Sequence, residues 1–197
     1  LRTSFDGGYH LRYGENPHQK AVFYKQRRFG VNSLYYLQVI NGKPLSYNNI
    51  LDIESAVNSI REFEQSACCI VKHGNPCGLA VADGDISQKK LLELAWAGDH
   101  ISAFGSIIAF NQRVSLDTVT FLDFNGKDKK FIEVIVAPSF GGLALSYLRQ
   151  KKDLRIIMFD PKKIKINREY RYINGALLEQ TPDNKIIEQM NAVSGDI

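Results

Sequence analysis

Apolar residues along the chain fall into short unbroken runs separated by stretches with helical spacing. The runs at 68–71, 106–110, 132–138 and 154–159 are rich in β-branched residues and lack polar alternation, the pattern of strands covered on both faces. Residues 21–24 and 34–39 also read as strands. Ile50, Ile53, Val57 and Ile60, continued by Phe63, recur at the spacing of one helical face, and Asn49 with Asp52 marks the helix start. Residues 87–97 read as a second helix with Leu91, Leu94 and Ala95 inward, and 115–124 as a short third. A fourth opens at Gly141-Gly142, runs through Leu148 and ends at Lys151-Lys152. Residues 170–179 are a further extended stretch carrying Asn174-Gly175, and 186–193 a terminal helix. Strands alternating with helices, without an internal repeat, predict an α/β fold with a mixed sheet flanked by helices. No stretch rich in Pro, Gly or Ser divides the chain, which reads as one domain.

Chemistry enters where the first buried run stops. Cys68-Cys69-Ile70-Val71 gives way to Lys72-His73, and Gly74, Pro76 and Gly78 then punctuate the backbone. A cation and an imidazole stand side by side at the end of a strand, the edge at which open α/β sheets bind ligands. Histidine exchanges a proton near neutral pH, and an ammonium beside it favours the neutral ring that acts as a base. Lys72 can stabilise an oxyanion, hold a phosphate or act as an acid. For a Lys-His pair alone, a snorkelling lysine and a histidine satisfying a backbone carbonyl are the favoured reading. The glycine-rich turn directly after the pair shifts the balance toward a site. Glu133, inside an otherwise apolar run, needs partners or an exposed edge.

Composition narrows the choices. Of the 197 residues, 44% are hydrophobic and 23% charged, ordinary values for a globular chain. The mean hydropathy is -0.22, and no run is long enough to span a bilayer. No signal-peptide pattern stands at the N-terminus, and there is no initiator methionine, so the chain reads as a fragment or a processed product. Three cysteines, two of them adjacent, make a poor disulfide framework and point to a reducing cytoplasm. A net charge of +4 favours anionic ligands. Without a dense basic block interleaved with aromatics, nucleic acid is a weak inference, and phosphorylated metabolites fit the charge equally well. A zinc deaminase would need His-x-Glu and Pro-Cys-x-x-Cys. Here Asn75 stands two residues after His73, and Pro76-Cys77 has no second cysteine, so no transition-metal site is expected. Cys77 is a poor nucleophile because its turn has no base-and-orienter set beyond His73.

Three separate segments resemble one family. Arg12-Tyr13-Gly14-Glu15-Asn16-Pro17-His18-Gln19, Ser46-Tyr47-Asn48-Asn49-Ile50-Leu51-Asp52 and Val71-Lys72-His73-Gly74-Asn75-Pro76-Cys77-Gly78 match motifs of aminoimidazole carboxamide ribotide (AICAR) transformylase. That enzyme is the formyl-transfer half of a bifunctional purine biosynthesis protein. Ser102-Ala103-Phe104-Gly105 resembles a turn of the same family. The resemblance runs from Leu11 to about Gln180.

The resemblance implies a cytidine-deaminase-like unit. It implies a transfer from 10-formyltetrahydrofolate to the 5-amino group of AICAR, in a cytoplasmic dimer. His73 then corresponds to the base that deprotonates the amine, and Lys72 to the residue that assists transfer. Arg12, Tyr13, Asn75, Gly105 and Glu133 correspond to ribotide-binding positions, and Lys152 to a lysine reaching the phosphate. Residues 1–20 would form an N-terminal ligand-binding loop, and 1–197 the first unit of the transformylase domain. The cyclohydrolase domain, the second transformylase unit and the family's monovalent-cation site have no counterpart in this sequence. A companion subunit or a homodimer would supply the rest of the site. Alternatives are a non-catalytic phosphometabolite-binding module, or a Schiff-base lysine enzyme with Lys72 as the amine and Glu133 as partner to a pyridoxal ring.

Overall fold

A computed structural model describes residues 4–27, 33–164 and 166–183. The terminal helix expected at 186–193 lies outside them. The chain falls into two compact units, Leu1–Ile164 and Lys165–Ile197, where the lack of a linker composition reads as one. The larger unit is α/β, as expected, with a mixed six-stranded sheet between helices. In space the strands run β3 (Gln38–Asn41), β8 (Arg155–Met158), β7 (Ile132–Ala137), β6 (Ser106–Phe110), β4 (Ala67–Lys72) and β5 (Asn75–Val81). β6, β7 and β8 are parallel to one another, and β3, on β8, and β4, on β6, run antiparallel to them.

Helix α1 (Tyr47–Ile60) covers one face. Ile53, Ala56, Val57 and Ile60 are fully buried against Cys69, Val71, Ile107 and Val134. Helices α2 (Gln88–Gly98), α3 (Leu116–Thr120) and α4 (Gly142–Leu148) belong to the opposite cluster, with Cys68, Ile70, Ile108 and Ile135. Buried on both faces, the central strands are the apolar runs visible in the sequence.

Several details differ from the sequence reading. Ser46, not Asn49, caps α1: its side chain accepts from the Asn49 N–H, and the Asn49 side chain accepts from the Ser46 N–H, a reciprocal capping box. Residues 34–36 form a 3-10 turn before β3 rather than a strand. Leu94 is exposed, and Leu92 takes its place in the core of α2. The stretch at 170–179 is a hairpin, β9 (Glu169–Ile173) with β10 (Ala176–Gln180), a two-stranded sheet of its own. Residues 5–10, expected as loop, are strand β1 (Phe5–His10), paired with β2 (Val22–Gln26).

The largest difference follows Lys72. Residues 75–81 are no loop but the edge strand β5, folded back on β4 through a turn at His73-Gly74. Pro76 is tolerated because β5 is an edge strand and the register shifts there, with Ile70 opposite Gly78 and Val71 opposite Pro76, leaving Cys77 as the extra residue of a bulge. Gly78 serves packing rather than turning: a Cβ there would collide with the Ala95 carbonyl of α2. Among the described residues no helix is long and apolar enough to cross a membrane.

Candidate functional site

Strand directions bring the chemistry to one edge. β4 runs antiparallel to β6, so its carboxyl end lies beside the amino ends of β6, β7 and β8: Val71 pairs with Ile107, Ile107 with Val134, and Val134 with Arg155. β3 ends at the same edge, and after the turn at Gly42 the chain enters α1 there. The carboxyl-edge rule for open parallel sheets therefore describes only β3 and β4, the strands antiparallel to the central three. For the three parallel strands the site lies at the amino edge.

The first group surrounds the β4–β5 turn. Lys72 is half-buried, and its Nζ donates to the Phe104 carbonyl at 2.6 Å. That bond ties Lys72 to the turn where Gly105 takes φ +75° and donates its N–H to the Phe131 carbonyl at 2.8 Å. The exposed rings of Phe104 and Phe131 lie 5.2 Å apart beside it. His73 is exposed and adopts φ +53°, a conformation that costs a non-glycine residue about 1–2 kcal/mol. Side chains hold it there. Asp52 of α1 accepts the N–H of His73 at 3.3 Å and of Gly74 at 2.6 Å. Ser55 donates to the Gly74 carbonyl at 2.9 Å, and Asn75 Nδ2 to the His73 carbonyl at 3.0 Å.

The second group surrounds Glu133. The register shift between β6 and β7 puts Ser106 opposite Ile132 and Ile107 opposite Val134, so Glu133 is the extra residue of a second bulge. This is how a carboxylate fits a buried strand. Glu133 Oε2 accepts from Asn49 Nδ2 at 3.2 Å and faces Arg155 at 3.5 Å. Arg155 is itself buried, and its Nε donates to the Pro44 carbonyl at 3.1 Å. Burial holds the guanidinium below its ordinary pKa; Glu133 opposes that shift and the nearby Arg12 adds to it. Arg12 and Tyr13 reach this group along the backbone, since Arg12 N–H donates to the Leu45 carbonyl and Tyr47 N–H to the Tyr13 carbonyl. The Arg12 guanidinium lies 5.3 Å from the Tyr13 ring centre.

The edge thus brings together Lys72, His73, Asn75 and Gly105 in one group, and Arg12, Tyr13 and Glu133 in another. Lys152 shares the edge, exposed in the turn before β8, but joins neither group. Arg155 is missing from the sequence reading, and Asp52 enters it only as a helix-start residue and the end of a motif, not as part of a site. Arg155 had a signal, a charge inside an apolar run like that of Glu133. Asp52 had none, because at helical spacing it reads as a first-turn acid.

The cysteines are poor nucleophiles. Burial pushes the Cys69 thiol up to about 11 and raises Cys68 as well. Cys77 is also raised, chiefly by burial and then by Asp99, with Lys72 pulling the other way. Among the described residues no group of three or more His, Cys, Asp or Glu side chains is placed to hold a metal ion.

A profile of the AICARFT/IMPCHase bienzyme family matches residues 1–196. The chain belongs to that family. Its relatives include proteins named bifunctional purine biosynthesis protein PurH. That of Petrotoga mobilis is 38% identical over 98% of this chain and 36% of its own length. That of Neisseria gonorrhoeae is 45% identical over 88% and 32%, and that of Clostridium botulinum 39% identical over 98% and 37%. The chain spans about a third of the length of the curated relatives it matches.

Proposed function

We propose that this chain is the first unit of a transformylase domain, acting in purine biosynthesis on AICAR with 10-formyltetrahydrofolate as formyl donor. One observation carries the reading. The Lys72–His73 turn and the Glu133–Arg155–Asn49 cluster share one sheet edge, with Arg12 and Tyr13 docked beside the second. A pair able to transfer a proton thus shares an edge with a group suited to a polar, anionic ribotide.

In this reading His73 takes the proton of the 5-amino group as its nitrogen bonds to the formyl carbon. The bond from that carbon to the folate nitrogen breaks, and the folate nitrogen takes up a proton. An ammonium has three donors, and Lys72 uses one on Phe104, so another can stabilise the formyl oxygen as negative charge builds. Glu133 uses Oε2 on the protein, leaving Oε1 to accept from a ribotide hydroxyl. Arg12 and Lys152 supply cations for the phosphate. Phe104 and Phe131 offer a flat apolar surface to a heterocycle. A homodimer or companion subunit would complete the site, and three free thiols suit a reducing cytoplasm.

In the assembled transformylase, His73→Ala and Lys72→Met should each lower kcat by about two to four decades, the usual reach of acid-base catalysis, with ribotide affinity changed much less. Lys72→Arg keeps the charge and loses the geometry, and should not restore turnover. Formation of tetrahydrofolate is read by absorbance and ribotide binding by calorimetry. Near-normal turnover in both His73→Ala and Lys72→Met would make the pair structural.

A further inference from the structure

We propose that Asp52, one helical turn before Ser55 on α1, is the positioning residue that holds His73 in its working orientation. The inference rests on the reading of His73 as the base. The turn between β4 and β5 has two consecutive residues with positive φ, His73 at +53° and Gly74 at +75°. A Cβ at Gly74 would meet nothing within 4 Å, so glycine is needed there for its backbone and not for room. His73 has no such freedom. It stays left-handed because the surroundings over-determine it.

All four backbone polar groups of the pair are bound by side chains. Both N–H groups go to the two oxygens of the one Asp52 carboxylate, the His73 carbonyl to Asn75, and the Gly74 carbonyl to Ser55. Two parallel N–H donors need two acceptor oxygens on one rigid group, and a carboxylate supplies both with charge assistance. Asn offers one oxygen and turns an NH2 toward the other N–H. Asp52 and Ser55 lie three residues apart and therefore on the same face of the helix. That helix is anchored through Ile53, Ala56 and Val57, which are fully buried. The direction of the His73 side chain is thus referred to the core through α1, not to its own exposed hairpin.

The test is a double-mutant cycle in the assembled transformylase, with melting temperature and amide exchange alongside. Asp52→Asn should speed exchange at the Gly74 amide and lower kcat by about a hundredfold, the effect of a small misplacement of a reacting group, while KM for the ribotide stays within about threefold. In a His73→Ala background the same substitution should cost less than about threefold, because the group it positions is gone. Ser55→Ala should act in the same direction and more weakly. A full hundredfold loss in the His73→Ala background, or wild-type kcat in Asp52→Asn despite faster exchange, overturns the inference and leaves the role of His73 intact. Near-normal turnover in His73→Ala alone overturns the role of His73, and that of Asp52 with it. A merely structural Asp52 would lower the melting temperature without the dependence on His73.

Discussion

Replacing Glu133 by Gln removes a charge and little else. The amide oxygen can still accept from Asn49, and the side chain keeps its volume. What is lost is the attraction between the carboxylate and Arg155, 3.5 Å away. Two unit charges at that separation attract by about 5 kcal/mol at an effective dielectric of about 20. That is an upper figure, because water reaches one partner: the Glu133 side chain is 41% exposed and that of Arg155 5%. Removing one member of a fully buried pair costs about 3–5 kcal/mol, and an exposed pair is worth about 0.2–1. This mixed pair lies between, at about 2 kcal/mol, and the cost falls mainly on the guanidinium left buried without its carboxylate. Urea unfolding of the chain should therefore show a loss of about 2 kcal/mol, equivalent to about 4–8 °C in Tm at this chain length. Arg155→Met should also destabilise, because the Pro44 carbonyl loses its donor. In that background Glu133→Gln should cost much less, since the stranded cation is gone. A loss below about 0.5 kcal/mol for Glu133→Gln, or the same loss with and without Arg155, would refute the argument and leave Glu133 as a residue held for ligand alone.

Two other outcomes follow from the packing. Gly78→Ala should destabilise by about 3 kcal/mol, because its methyl group meets the Ala95 carbonyl, backbone that cannot swing aside; a neutral result in denaturant melts would show that α2 can withdraw. The buried thiols should make stability fall in base. Below pH 9 the Cys69 thiol is protonated in both states, and between 9.0 and about 11 the unfolded chain ionises while the folded one holds its proton. Stability then declines by about 1.4 kcal/mol per pH unit for that thiol. Cys69→Ala should flatten the decline in urea midpoints against pH, and an unchanged slope would assign it to other groups.

The elements that burial dictates are legible in the local pattern of the chain. Ile108, Ile135 and Ile157 have apolar neighbours on both sides along the chain because their strands are covered on both faces, and that pattern is local. So is the stripe Ile53, Val57 and Ile60, which makes a helix of α1 wherever it packs. Lys72-His73 was visible as a break at a strand end, and Arg12-Tyr13 and Glu133 as polar groups out of keeping with their surroundings. Which edge those residues share follows from strand pairing alone. The direction of β4 relative to β6 is set by pairing between segments some forty residues apart, and nothing in the periodicity of either strand encodes it. Pairing also decided that Asn75-Pro76-Cys77 is an edge strand, since Pro and Gly read locally as a loop until a partner strand on one side only makes them admissible. Glu133 needed a bulge, and a bulge is a mismatch between two strands, not a property of either. Asp52 and Arg155 depend on pairing in the same way: an acid on a helix face is ordinary locally, and the charge inside the 154–159 run asks for a partner without saying which. Their roles exist only because the sheet carries His73 to the first and Glu133 to the second.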